Sequence, residues 1–381
     1  MVDPVAVETA WRWIETNAAR LDAEEVALAA AQGRVPASAI VASADVPATA
    51  CAVEDGYAVR AEETVGAAPY NPLSFSVAEV GDGALPHGMA ARIGAGQPLP
   101  AGADALVPSD AVELEGDGRI SVLTPIAEGD GAVMAASELR AGDVLWPVEG
   151  RRQPLRPAEI GLLGAAGVLR LPVVRRPRTR ILVGAATDVL GPILQALVER
   201  DGGTMVGLEH LEAGQAGSAD LMTGADVVLV GGVESDLEIG IRGIAIEPGR
   251  ETCLARLDDA IIALLPGLPA ACFWSYELVA GRAIRCRGGR DPGFPFVSRR
   301  FRTIRKIASA LGVTEVVPVR IDAADPDAVV PWPNGQAPRL RNAISADGFA
   351  LVPATSEGFP PGSELEVWLF GPVTGRSAGQ G

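Results

Sequence analysis

Two apolar runs constrain the fold of this chain more than any other feature. DVVLV at 226–230 passes into Gly231-Gly232, and AIIALL at 260–265 passes into Pro266-Gly267-Leu268-Pro269. Runs of this length, rich in Val, Ile and Leu, read as strands buried on both faces. TRILV, a helical stretch ending near LVERDGG, TMVGLE and the helical PAACFWSYELVAGRA surround them. Strands alternating with helices predict a mostly parallel sheet in three layers. In such sheets ligands bind beyond the carboxyl ends of the strands, where glycine admits close backbone approach and helix N-termini present free N–H groups. The two glycine-bearing loops are therefore the place to expect an anion, although glycines at strand ends also serve as ordinary turn residues.

The chain has 381 residues, which suggests roughly two to three folding units. Residues 5–31 are Ala-rich, and Val5, Ala10, Trp11, Ile14, Leu21, Val26 and Leu28 are spaced for amphipathic turns, so a helical opening is expected. Gly33 stops that run, and Pro36 and Pro47 punctuate the short β-branched stretches after it. Short alternating runs at 73–77, 105–107 and 120–123, parted by GDGALPHG and ELEGDGR, predict a β-rich insertion. RAGDVL and LRPAEIGLLGAAG then supply a turn, a strand and a short helix that can rejoin the N-terminal segment. RGGRDPGFPF reads as a linker. From Thr303 onward EVVPVRI, AVVPW, FALVP and ELEVWLF are β only, with turn signals at Pro333-Asn334-Gly335 and Pro361-Gly362, which fits a small barrel or sandwich. The tail TGRSAGQG is expected to be disordered.

Charge excludes some functions. Lys and Arg number 32 against 48 Asp and Glu, a net charge of −16, so the chain lacks the basic field needed to grip nucleic acid or an anionic membrane surface. An anionic ligand must be held locally. Lys306 is the only lysine, a bias that genomic base composition explains most simply, although arginine's fork also suits phosphate. The apolar stretch 260–274 is shorter than the ~20 residues of a membrane span and is broken by Pro266, Gly267 and Pro269. The acidic N-terminus does not resemble a secretory signal, so a cytoplasmic protein is expected. Cys51, Cys253, Cys272 and Cys286 are far apart, and His87 and His210 have no neighbouring thiol, which supports neither a disulfide framework nor a zinc site. Trp11 and Trp13 are expected in packing or dimer contacts, His87 in a solvated turn, 113–117 at a hairpin tip and Cys272 as a small buried hydrophobe.

Taken in order, AQGRVPASAIVASADVP, DGYAVRAEET, GAGQPLPAGADALVPSD, RAGDVL, LRPAEIGLLGAAGV, VVLVGGV, IEPGR, LLPGLPAA and SADGFALVPATSEGFPPGSELEV resemble the molybdopterin molybdotransferase family, which includes the E domain of gephyrin. The resemblance spans nearly the whole chain. With the pattern above, it implies a multidomain α/β plus β protein. A helical or mixed N-terminal domain (1–44 and 137–172) carries the β-rich insertion (45–136), followed by a three-layer α/β molybdopterin-binding-like domain (173–287) and a small C-terminal β-barrel domain (303–372). It further implies an elongated homodimer, in which the insertion of one subunit faces the α/β domain of the other. In that cleft adenylylated molybdopterin is cleaved and molybdate is inserted, with magnesium or a similar cation assisting the phosphate chemistry. A molybdoenzyme or another cofactor-biosynthesis protein is the implied partner.

Carried over residue by residue, the family pattern makes Asp55 the candidate catalytic and metal-binding acid, with Gly56, Tyr57, Gly96 and Pro98 beside it. On the α/β side it gives Gly231, Gly232, Pro248, Gly249, Arg250, Pro266, Gly267 and Pro269 as ligand-binding positions, and Asp188, the acid nearest the family's STGDE loop, as a second candidate catalytic residue. The chain also departs from that pattern. The lead-in FDNSAM is replaced by Thr49, Ala50, Cys51, Ala52, Val53 and Glu54; the threonine of TGxPLP is Ala95; the glutamate of GEDI falls at Ser137. The lysines of KPGKP become Glu247 and Arg250, and the asparagine of LPGNP becomes Leu268. A glutamate in place of a lysine reverses the charge beside a pyrophosphate. Three readings follow: a protein that binds molybdopterin or its adenylate with weakened or lost molybdate insertion, an active molybdotransferase, or a non-enzymatic scaffold of the same fold.

Overall fold

The computed structural model describes residues 3–79, 83–146, 153–184, 189–211, 222–233, 237–332 and 339–371. Asp188, the Pro333-Asn334-Gly335 turn and the tail from 372 lie outside the described residues. No helix is long and apolar enough to cross a membrane among the residues described.

The helical opening is shorter than its composition suggests. Helix α1 spans Val7–Asn17, and its apolar face of Val7, Ala10 and Ile14 is buried. The chain then turns into a strand, Ala23–Ala27, paired antiparallel with Arg170–Val174. The expectation of helix through 31 is thus corrected: Ala and Glu favour helix locally, but the cross-strand partner fixes AEEVA in extended form. Strand Ile40–Val41 pairs with Val144–Trp146, and helix α2, Pro157–Ala165, completes a small core of Ile40, Trp146, Leu155, Leu163, Leu171 and Val173. Helix α1 belongs elsewhere, since its buried face joins the core of the α/β sheet.

The insertion is a six-stranded sheet that includes Gly56–Val59, Leu73–Ala78, Met89–Ile93 and Ala105–Pro108. Its hairpin Val112–Glu115 to Arg119–Val122 places 113–117 at an exposed tip, with Asp117 and Gly118 at positive φ.

The α/β sheet has six strands: β1 Arg178–Gly184, β2 Thr204–Leu211, β3 Val227–Gly231, β4 Ile239–Arg242, β5 Cys253–Leu257 and β6 Ala260–Leu265. Their spatial order is β2-β1-β3-β6-β5-β4. The first four of that order are parallel, and β5 and β4 extend the sheet as an antiparallel edge. Helices α3 (Leu190–Arg200), α4 (Pro269–Ser275) and α5 (Gly281–Arg287) bury Leu194, Val198, Cys272, Trp274 and Ile284 on the face that α1 also covers. The other face carries Leu182, Val228, Val230, Ala255 and Ile262 in a core with Leu211 and Met222.

The C-terminal region is a closed five-stranded barrel. Thr314–Ile321 pairs with Ala328–Pro331 and Gly348–Val352, Glu364–Leu369 with Gly348–Val352 and Val297–Thr303, and the last of these with Ala328–Pro331. The barrel therefore begins ahead of Thr303. The expected linker is no loose tether either: Phe294 and Phe296 meet Phe349, Trp368 and Phe370 of the barrel edge to face, and Phe294 also meets Trp11 of α1. Aromatic area of this kind outweighs the Gly and Pro signals around it.

Candidate functional site

Strand β3 is buried at every position and β6 at all but Leu264, as expected of central parallel strands covered on both faces. Both deliver their glycine loops to the same end of the sheet. A Cβ on Gly231 would meet Leu190 at 3.0 Å, so glycine there lets the start of α3 approach. Gly232 sits at φ +67°, and its N–H donates to the Leu265 carbonyl at 3.0 Å, tying the two loops together.

Beyond this junction opens a cavity of about 670 Å³. Gly232, Pro266, Gly267 and Leu268 form one side, and Arg242, Glu251 and Cys253 stand on another. Register explains the second group. Arg242 pairs with Cys253 and Cys253 with Leu264, so β4 and β5 present a row of side chains along one face at the carboxyl end of β6. Arg242, Glu251 and Cys253 were not among the sequence candidates; an antiparallel edge after a long irregular connection leaves no periodic signal that would have found them.

The candidates at 248–250 lie elsewhere. Pro248 and Gly249 are buried, and Gly249, at φ +121°, has Ser275 Oγ where a Cβ would stand. Thr252 Oγ1 donates to Ser275 Oγ at 2.7 Å, or to the Gly249 carbonyl at 2.6 Å, so this turn is fastened to α4 and does not line the cavity. Arg250 is exposed and uses its carbonyl to accept from Ile244 N–H. Pro269 opens α4 directly behind the lip. Glu247 faces acids: partial burial first, then Glu251 and Glu315, hold its carboxyl above the usual range, against a smaller pull from Arg250.

The insertion candidates form a second group, on a separate sheet with its own apolar cores. Asp55 is exposed, and its Oδ1 accepts from Ala95 N–H at 2.8 Å, which organises the turn carrying Gly96 at φ +76°. A Cβ on Gly56 would lie 2.3 Å from the Val107 carbonyl, so no other residue fits that strand. Tyr57, offered as a ligand contact, packs instead in the sheet's core at 7% exposure. Pro98 is exposed beside Cys51. Among the described residues no grouping of three or more His, Cys, Asp or Glu is placed to hold a metal ion. A single surface carboxylate with one oxygen engaged falls short of the oxygen set magnesium requires, so these residues do not fit a protein-held magnesium site.

Cys272 is fully buried and burial pushes its thiol up to about 12. His87 does have a carboxylate at 2.5 Å, that of Glu63, but its ring is mostly exposed and the pair merely secures a turn with Gly88 N–H. Trp11 donates to the Leu278 carbonyl at 2.7 Å and lies under the Arg282 guanidinium, so it packs within the subunit.

Residues 5–167 match the family model described as the MoeA N-terminal region (domain I and II), and residues 300–370 match the MoeA C-terminal region (domain IV). The chain belongs to the molybdopterin molybdotransferase family. Similar curated proteins include the molybdopterin molybdenumtransferase of Staphylococcus aureus (strain COL), 25% identical with 96% of each chain covered. Molybdopterin molybdenumtransferase 2 of Mycobacterium tuberculosis (strain H37Rv) is 27% identical, with 90% of this chain and 94% of the relative covered. Among solved structures, two of the molybdopterin biosynthesis MoeA protein from Pyrococcus horikoshii superpose with TM-scores of 0.80 and 0.75 at 24% and 26% identity, each covering 97% of this chain and 100% of the other. The two family-model matches flank residues 168–299, which carry the cavity, and the alignment to the Staphylococcus aureus relative covers 96% of the chain.

Proposed function

We propose that, within molybdenum cofactor biosynthesis, this protein binds molybdopterin or its adenylate in the cavity beyond β3 and β6, with molybdate insertion weakened or lost. The observation that carries the reading is the cavity itself: Gly232 and the Pro266-Gly267 lip are kept, and Gly232 N–H donates to the carbonyl of Leu265 just ahead of the lip, at the sheet end where ligands of this architecture bind. The groups for charge stabilisation are not kept in the same way. Glu247 stands in place of a lysine among like charges, and Asp55 is a lone exposed carboxylate already accepting from Ala95. Binding needs a shaped apolar wall and a few polar contacts, whereas insertion needs stabilisation of charge that develops in the transition state.

The protein is read as a cytoplasmic homodimer in which the Asp55 surface of one subunit faces the cavity of the other. This arrangement rests on the family, and on Asp55 and the cavity belonging to separate sheets. A co-crystal with adenylylated molybdopterin tests the placement. Ligand at Gly232 and at 266–268 supports it; ligand confined to the barrel beyond Val297 refutes it.

A further inference from the structure

We infer that Arg242 is the phosphate-pairing cation of this cavity, taking over from the family lysines that this chain replaces at Glu247 and Arg250. The inference rests on the proposed function and adds a residue to it. Arg242 is the one cation lining the cavity among the described residues, and it stands on the wall beside Glu251 and Cys253.

Among the described residues its fork is also unspent. Five arginines of the α/β region are neutralised within the chain: Arg175 by Asp226, Arg180 by Glu209, Arg200 by Glu277, Arg285 by Asp201 and Arg287 by Asp259. Arg242 is exposed and makes no ion pair among the described residues. A planar guanidinium pairs with two phosphate oxygens at once, which a lysine cannot do, and a cavity offering one such fork has one preferred place for a phosphate.

Glu251 sharpens that preference. It is the one carboxylate lining the same cavity among the described residues, and it forms an anionic flank there. Phosphate is repelled from the flank and drawn to Arg242, while Glu251 is left as an acceptor for N–H or O–H groups of the ligand's neutral part. The two residues therefore act in opposite directions on an anion.

Equilibrium binding of adenylylated molybdopterin, of inorganic pyrophosphate and of adenosine, as a phosphate-free probe, tests this with the full-length protein and its Arg242→Ala, Arg242→Lys and Glu251→Gln variants. Circular dichroism and melting confirm that each exposed-site variant folds. Loss of the charge-assisted fork is expected to weaken the two phosphate-bearing probes by about ten- to a hundredfold in Arg242→Ala. Arg242→Lys should recover part of the loss, Glu251→Gln should tighten pyrophosphate, and adenosine should respond to none of the Arg242 changes. If the parent binds adenylylated molybdopterin and Arg242→Ala binds it equally well, the inference is overturned while the proposed function stands. If the parent binds no adenylylated molybdopterin, both fall.

Discussion

Glu247 is the residue at which this chain departs most from its family's electrostatics, and its surroundings give the departure a measurable sign. Burial and the carboxylates of Glu251 and Glu315 raise its pKa above the ordinary glutamate value of 4.5. A raised pKa in the folded state means that protonation favours folding, so this contribution is present below the ordinary value and is lost as pH rises through the raised one. Glu247→Gln removes the repulsion, and is expected to melt above the parent at pH 8 and together with it at pH 4. Coincident melting at both pH values would show that the three acids do not feel one another. Some of these positions were legible in the sequence and others were not. Gly232 and the Pro266-Gly267 lip could be read because glycine and proline mark strand ends by their backbone requirements. Arg242 and Glu251 could not, because a charged residue on an edge strand looks the same whether it faces a cavity or solvent.

At the scale of elements, the stretch from α3 to α5 is held by charge as well as by apolar packing. Asp201, at the end of α3, is fully buried; it accepts from Arg285 at 2.7 Å and from the Tyr276 hydroxyl at 3.1 Å. Burial and that carboxylate push the Tyr276 phenol well above its ordinary value, so it stays protonated and donates. The same stretch includes a π-helical turn, Tyr276–Ala280, whose Glu277 receives Arg200. Asp201→Asn leaves the Arg285 guanidinium buried without its counter-ion and is expected to cost about 3–5 kcal/mol in denaturant unfolding. A loss below about 1 kcal/mol would mean that water or a rearranged partner replaces the carboxylate. Elements defined by continuous β-branched runs, such as β1, β3 and β6, could be read because local propensity and burial agree there. AEEVA could not, since its strand state depends on Arg170–Val174, far away in sequence. Phe294 and Phe296 were hidden in the same way, by partners in α1 and the barrel that only the folded chain supplies.

The whole molecule presents its two sets of family residues on different sheets, Asp55 on the insertion and the cavity on the α/β sheet. If both serve one ligand, the insertion of a second copy brings them together, and static light scattering is expected to give twice the 39.2 kDa of the chain at micromolar concentration. A monomer mass there would contradict that assembly. The division of labour between binding and chemistry is tested most directly by a single reconstitution measurement. The purified protein, saturated with adenylylated molybdopterin and supplied with magnesium and molybdate, is assayed for activation of an apo-molybdoenzyme beside the Staphylococcus aureus relative. Bound ligand with little or no activation is the predicted result, whereas turnover matching that relative would contradict it.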